Sequence, residues 1–131
     1  MDSSSTDTVR LTLPAAAAAV RIARAGAAGL ATRAGFSYHE VEQVQLAVGE
    51  AAAILAPEPD GDGILTLTFA VEQDGLRVDL GLTGPGSEGH RVPVPPIAVA
   101  VLDAAVDRWH VVDGGRRFVL HKRLSDIDDD E

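Results

Sequence analysis

Residues 64–83 have the sequence ILTLTFAVEQDGLRVDLGLT, which carries the clearest structural signal in the chain. From residue 65 to 71 and again from 76 to 82, every second residue is Leu, Phe or Val. This alternation is typical of a strand with one buried face. Asp74-Gly75 lies between the two runs and is a preferred sequence for a tight hairpin turn. The segment therefore predicts two antiparallel strands.

A short strand and a long helix are predicted upstream of this hairpin. Apolar and polar residues alternate over 9–13, which indicates a strand. Pro14 suits the first turn of a helix, where its missing N–H is not needed. The alanine-rich run 15–34 therefore predicts a helix that stops at the next glycine. Gly26 and Gly29 weaken this helix, and we expect them to allow close packing against a neighbouring element.

A second helix begins at a capping box. Ser37 can cap the first backbone N–H groups, and Glu40, three residues later, can reach back to the N–H of Ser37. Apolar residues then recur at steps of three and four over 41–55, the spacing of one helix face. The Pro-, Gly- and Asp-rich segment 57–63 ends this helix in a loop.

The remaining segments complete the fold prediction. Residues 84–96 are rich in Gly and Pro and predict irregular structure, and 97–106 predict a helix with Pro95 or Pro96 at its start. A second hairpin is expected over 109–124, with its turn at 113–115. The element order predicts an α/β (α+β) two-layer sandwich, with a mainly antiparallel sheet and about three helices on one face.

Composition limits the possible functions. The chain has 131 residues and a mass of 13.6 kDa, and its 11 Lys and Arg against 20 Asp and Glu give a net charge of −9. This charge argues against binding nucleic acid or an anionic membrane surface. The absence of cysteine excludes disulfides and thiolate metal sites, and the four histidines lack the spacing of metal ligands. We therefore expect no metal site.

The sequence also predicts where ordered structure begins and ends. Residues 1–8 are expected to form a disordered tail, 9–124 a single domain, and 125–131 an acidic disordered tail. No apolar run approaches the ~20 residues of a membrane span. The N-terminus lacks the charged and apolar regions of a signal peptide, so a cytoplasmic location is expected.

Three segments carry a resemblance to a known family. They are VQLAVGEA at 44–51, LRVDLGLTGPG at 76–86, and VLDAAVDRWHVV at 101–112, which is followed by FVLHKRL at 118–124. In this order they resemble the RsbW-type anti-sigma factor and serine-protein kinase family. The resemblance covers about residues 9–124. It implies the sandwich fold of histidine-kinase-like ATPases, called GHKL.

The chain departs from this family at the positions that bind nucleotide. Ile54 replaces the family asparagine that holds Mg²⁺, and a hydrocarbon side chain offers a hard cation no oxygen. Leu82 replaces the aspartate that accepts a hydrogen bond from adenine. Pro96 and Ala98 replace glycines of the second phosphate-binding box. The family positions that remain are the candidate base Glu50 and the glycines Gly84 and Gly86.

Glu50 would be catalytic only in an active kinase, and an ordinary solvated helix residue is the competing interpretation. In the same way, Gly84 and Gly86 fit either a relic of the nucleotide-binding loop or a simple turn after a strand. Arg24, with Arg21 beside it, matches an arginine that family members place against a sigma factor. A solvated helix arginine is the alternative.

The resemblance, together with its departures, predicts an anti-sigma-factor-like regulator that acts by protein–protein binding, without kinase activity or ATP. Its implied partners are a sigma factor, an antagonist of the STAS type, or both, with a homodimer as a further possibility. One alternative is a divergent but active serine-protein kinase that uses ATP and Mg²⁺. Another is a sensor that binds a small apolar ligand in the old nucleotide cleft.

Overall fold

The computed structural model describes residues 7–58, 61–84 and 91–125. In chain order the structure contains five strands and three helices, with a 3-10 turn between the last two strands. Their bounds are β1 Asp7–Pro14, α1 Ala19–Ala34, α2 Tyr38–Leu55, β2 Ile64–Glu72, β3 Gly75–Thr83, α3 Pro96–Ala105, β4 Arg108–Val112, the 3-10 turn Asp113–Gly115, and β5 Arg117–Arg123.

The strands form one antiparallel sheet in the order β1-β2-β3-β5-β4. The hairpin β2–β3 occupies its centre, with Leu67 opposite Leu80 and Glu72 opposite Gly75 beside the turn. Both predicted hairpins are therefore confirmed. The α+β architecture is also confirmed and is consistent with a GHKL-like sandwich.

The two faces of the sheet differ sharply. On the face toward the helices, alternate residues such as Leu67, Leu80 and Phe118 are fully buried. All three helices pack on this side, and α2 lies centrally between α1 and α3. The opposite face, called the outer face below, presents the intervening residues, many of them Thr, Arg or His. No helix of the described chain covers it.

The first helix starts later than predicted. Pro14 is the last residue of β1, and α1 begins at Ala19 rather than at residue 15. The intervening residues are held by other partners: the N–H of Ala15 donates to the carbonyl of Gly63 at 2.9 Å, and that of Ala17 to Glu58 at 2.8 Å. These two bonds to the loop after α2 replace the first turn of the predicted helix.

The first strand, in contrast, starts earlier than predicted. Asp7 and Thr8, assigned above to a disordered tail, pair with Val71 and Ala70 in the sheet. The Asp7 carboxylate also accepts a hydrogen bond at 2.8 Å from Nε of Arg33 on α1. Backbone pairing and this ion pair explain the additional ordered residues. The other predicted tail residues, 1–6 and 126–131, lie outside the described part of the chain.

The glycines of α1 have different surroundings. A Cβ at Gly26 would lie 3.4 Å from Leu11 and 3.7 Å from the ring of Phe69, so close packing is confirmed there. At Gly29 the same atom would meet nothing within 4 Å. The close-packing explanation for Gly29 was therefore wrong, because this residue lies on the exposed side of the helix.

The capping box of α2 forms as predicted. The hydroxyl of Ser37 accepts from the N–H of Glu40 at 3.2 Å, and the Glu40 carboxylate accepts from the N–H of Ser37 at 2.9 Å. Burial of Glu40 pushes its carboxyl pKa upward, but the hydrogen bonds from Ser37 and Ser125 and the charge of Lys122 leave that pKa below its ordinary value. The start of α2 is thus fixed by local sequence.

The second hairpin and α3 are joined by polar contacts. Trp109 stacks on buried Phe118 with ring centroids 6.4 Å apart, and its indole N–H donates to Asp103 of α3 at 2.8 Å. Lys122 donates to the Gln43 side chain at 2.8 Å and to the Ala105 carbonyl at 3.0 Å. This lysine therefore ties β5 to both α2 and the end of α3.

Candidate functional site

Helix α2 places Glu50 and Ile54 one turn apart on the same side, because they are four residues apart. Both side chains are half-buried. Among the residues that the structure describes, the Glu50 carboxylate has no hydrogen bond or ion pair. A base that acts on a hydroxyl needs to be oriented. No side chain of the described residues orients Glu50 through a hydrogen bond or an ion pair.

Hydrocarbon side chains occupy the two positions at which the resemblance leads us to expect polar groups for Mg²⁺ and adenine. Ile54 and Leu82 both pack against the central hydrophobic core. The backbone N–H of Leu82 donates to the carbonyl of Arg116 at 2.9 Å, and its Cδ1 lies 3.0 Å from the position of a Cβ at Gly63. The side chain of Leu82 thus fills space against the loop before β2.

The glycine after β3 is required by its backbone conformation. Gly84 has φ +105°, a left-handed value that a residue with a Cβ rarely adopts. A Cβ at this position would also lie 3.3 Å from Gly63 Cα. The local turn therefore accounts for Gly84 without a ligand. Gly86 lies outside the described residues.

The start of α3 offers few backbone donors to a phosphate. Pro96 occupies the first turn and has no N–H. The N–H groups of Ala98 and Val99 both donate to the carbonyl of Pro95, at 2.9 and 3.1 Å. The methyl group of Ala98 is fully buried. A helix N-terminus binds anions through unsatisfied N–H groups. Here Pro95 and Pro96 supply none and that of Ala98 is already used, which leaves the N–H of Ile97.

Cavities occur elsewhere on the molecule. Two of about 480 and 490 Å³ lie beside α1 and at the β2–β3 turn, and a third of about 630 Å³ lies beside the 3-10 turn. Glu50, Ile54 and Leu82 line none of these three. These three cavities are therefore separate from the positions at which the resemblance places a nucleotide.

The two arginines proposed for partner binding lie together. Arg21 and Arg24 are exposed on α1 and line the 480 Å³ groove with Gln45 of α2. The Gln45 side chain donates to the Arg24 carbonyl at 3.2 Å. A Cβ at Gly49 would lie 2.9 Å from Cδ of Arg24, so the aliphatic part of this arginine lies across α2 at its glycine. The guanidinium group is thereby positioned by helix packing.

Sequence reasoning missed two features of this surface. It assigned no role to Gly49, although the motif containing it was noted, and it did not place Gln45 beside Arg24. A glycine in a helix among alanines is a signal of close approach by another side chain. That signal was present in the sequence, but the residue that approaches cannot be identified from one helix alone.

The described histidines lie on different elements of the fold. His110 and His121 lie on neighbouring strands with ring centroids 6.0 Å apart, whereas His39 is on α2. The described part of the chain contains no group of three or more His, Cys, Asp or Glu side chains arranged to hold a metal ion. His90 lies outside the described residues.

Comparison with known proteins supports the resemblance predicted from the sequence. This chain is 35% identical over 81 residues to proteins named "Serine-protein kinase RsbW" from Listeria monocytogenes serotype 4a (strain HCC23) and Listeria innocua serovar 6a. The matched stretch is 60% of this chain and 52% of each of those proteins. The protein of the same name from Halalkalibacterium halodurans is 29% identical over 73 residues, 55% of this chain and 45% of its own.

The similarity covers only part of each related protein. The chain spans about half the length of the curated relatives it matches. No protein-family model matches it. The similarity supports an RsbW-type family, in agreement with the fold. Within the part of the chain that the structure describes, no helix is both long and apolar enough to cross a membrane.

Proposed function

We propose that this chain is an anti-sigma-factor-like regulatory protein that acts by binding other proteins, without kinase activity and without binding ATP. The observation that carries the proposal is the packing of Ile54 and Leu82 against the hydrophobic core. The family resemblance leads us to expect oxygen-bearing side chains for Mg²⁺ and adenine at these two positions of an active kinase. Phosphoryl transfer depends on the metal and on positioning of the nucleotide, and this chain offers neither group at these positions.

Two further observations support the loss of nucleotide chemistry. The first turn of α3 offers few free N–H groups, because Pro95 and Pro96 have none and that of Ala98 donates to the carbonyl of Pro95. Glu50, the remaining candidate base, is not oriented by any described side chain. Without a bound triphosphate there is no phosphoryl donor, so a base that activates a hydroxyl at this position has no group to transfer to it.

The surface proposed for the partner is the exposed side of α1 around Arg21 and Arg24. The groove there contains two guanidinium groups, and the aliphatic part of Arg24 is held in place by Gly49. A pre-positioned arginine loses less side-chain entropy on binding, which favours its use at an interface. We propose a sigma factor, or an antagonist of the STAS type, as the partner of this surface.

A thermal unfolding experiment tests the absence of nucleotide binding. A ligand present at 100 times its Kd stabilises the native state by about 2.7 kcal/mol, a rise in Tm of roughly 10 °C for a domain of this size. We expect saturating ATP with Mg²⁺ to leave Tm within 1 °C of the value with Mg²⁺ alone. A concentration-dependent rise would instead favour the divergent kinase, in which Glu50 is catalytic and ATP and Mg²⁺ are bound.

Affinity capture from a bacterial lysate tests the proposed partner. We expect the native chain to retain a sigma factor or a STAS protein, identified by mass spectrometry. Arg21→Glu and Arg24→Gln should each reduce its yield by about tenfold, as truncation of central interface arginines often does. Arg10→Glu, on the outer face of the sheet, is the matched control. Equal yields from all three variants would remove α1 from the interface.

A further inference from the structure

A second surface of the molecule lies on the outer face of the sheet, on the side away from α1. The registers of β3, β5 and β4 bring Arg77, His121 and Arg108 into one cross-strand line. This line is called the basic row below. Two strand spacings separate its end members, so the two arginines stand roughly 10 Å apart. His110 on β4 stacks on His121 with ring centroids 6.0 Å apart.

The basic row is not explained by the stability of the fold. Like charges directly opposite each other weaken a sheet. Arg77 and Arg108 are exposed, and in the described part of the chain neither has a hydrogen bond or an ion pair. Arg117, on the same face, differs because it makes two hydrogen bonds to Asp79 at 2.8 and 2.6 Å. Among the described residues, no carboxylate forms an ion pair with either arginine of the row, in a chain whose net charge is −9.

We propose that the basic row, together with His110, is a docking surface for an acidic segment of a partner protein. The two arginines can each bind a carboxylate, and His121 between them can add positive charge. A divalent metal ion on the His pair is disfavoured because both arginines flank it. Nucleic acid is disfavoured by the net charge of the whole chain. This surface is separate from α1, so it does not depend on the function proposed above.

Several carboxylates lie near the basic row and affect how strongly it binds an acidic ligand. Glu72 acts on His121, where it opposes the effect of the cations. Asp79 is paired with Arg117, Asp107 accepts from the Arg123 N–H at 2.7 Å, and Asp74 lines the same cavity as Glu72 and His121. Glu72 and Asp74 are therefore local competitors for an acidic ligand. Removal of Glu72 should strengthen binding.

His121 gives the surface a pH dependence whose sign can be stated. Burial lowers the pKa of His121, with Arg108, His110 and Arg77 lowering it further and Glu72 opposing them. A bound carboxylate stabilises the protonated imidazole and raises that pKa. Binding should therefore take up a proton and become tighter as the pH falls through the range in which His121 protonates. A glutamate ligand keeps most of its charge at pH 5.5 because its own pKa is about 4.3.

Titration of the ¹⁵N-labelled full chain with hexaglutamate at low salt tests the proposal. We expect the largest amide shifts at the outer-face residues of β3, β4 and β5, and none that saturate on α1. Arg77→Gln combined with Arg108→Gln should weaken binding about tenfold. Arg10→Gln removes the same charge from the same face at β1 and should change Kd less than twofold. Both arginines are exposed, so the double variant should remain folded.

Three additional measurements make the test specific. Glu72→Gln should tighten hexaglutamate binding severalfold, and lowering the pH from 7.5 to 5.5 should tighten it severalfold in the native chain but not in His121→Gln. Hexaglutamine is the uncharged control and should not bind.

The proposal is wrong if the double variant binds hexaglutamate as tightly as the native chain, or if the shifts map to α1. It is also wrong if an oligothymidylate of equal charge binds the basic row more tightly.

Discussion

On the helix side of the sheet, Ile54 and Leu82 pack against the core, whereas on the outer face Arg77 and Arg108 stand in solvent without a partner among the described residues. In the related kinases, oxygen-bearing groups are expected at the first pair of positions. The polar chemistry of this chain is instead concentrated on surfaces. Under the function proposed above, the fold is kept while binding takes place on exposed faces rather than in a cleft, because one fold can carry different sites.

The largest loss of stability is expected at one of the two positions that pack against the core. Leu82→Asp restores the family's carboxylate but places it against the core, and we expect a loss of about 2–4 kcal/mol in the free energy of unfolding. Chemical denaturation at pH 7 measures it. Thr83→Asp, one residue further on an exposed position, is the matched control and should cost less than about 0.5 kcal/mol. A stable Leu82→Asp variant that gained Mg²⁺-ATP binding would show that the nucleotide cleft is still present.

A smaller loss is expected at the polar contact on the same side of the sheet. Lys122→Met keeps the aliphatic length but removes the donor to Gln43 and to the Ala105 carbonyl. Each lost hydrogen bond of this kind costs about 1 kcal/mol, so urea denaturation should show a decrease of about 1–2 kcal/mol. Arg123→Met, at the exposed neighbouring position, should be close to neutral. An unchanged stability of Lys122→Met would mean that water replaces the lysine without loss.

The strands, the hairpin turns, the capping box and the order of elements could be predicted because each depends on residues close together in the chain. The start of α1 could not. The loop that captures Ala15 and Ala17 comes more than 40 residues later, and helix propensity alone favoured residue 15. β1 similarly gained Asp7 and Thr8 from pairing with β2. Local sequence cannot reveal such distant partners.

The candidate sites also differ in how much of each could be predicted from the sequence. The hydrocarbon side chains at positions 54 and 82 were visible in the sequence, and the structure adds that both pack against the core. The basic row was not visible. Arg77, Arg108 and His121 lie on three strands, and their alignment depends on the sheet order β3-β5-β4 and on its register. Alternation in each strand shows which residues share a face, but not which of them become neighbours.

The ion pair on the outer face should contribute much less than the buried positions. Arg117 and Asp79 make a bidentate contact, and Asp79 raises the pKa of the Arg117 guanidinium. Both side chains are partly solvated, and such pairs are worth about 0–1 kcal/mol. A double-mutant cycle with Arg117→Gln and Asp79→Asn should give a coupling energy in that range. A coupling above about 2 kcal/mol would mean that this part of the outer face is far less solvated than its exposure indicates.

The smallest expected effect is the pH dependence at the start of α2, where the carboxylate of Glu40 accepts from Ser37. The pKa of Glu40 is lower in the folded chain than its ordinary value of 4.5. A depressed carboxyl pKa contributes stability that is present above the unfolded pKa and is lost as the pH falls through the folded pKa. The native chain should therefore lose slightly more stability between pH 5 and pH 3 than Glu40→Gln does.

Ser37→Ala should reduce this difference, because it removes the hydroxyl that bonds both to the helix and to the carboxylate. Urea denaturation across this pH range measures the effect, and a Glu40→Gln variant with the same pH profile as the native chain would contradict it.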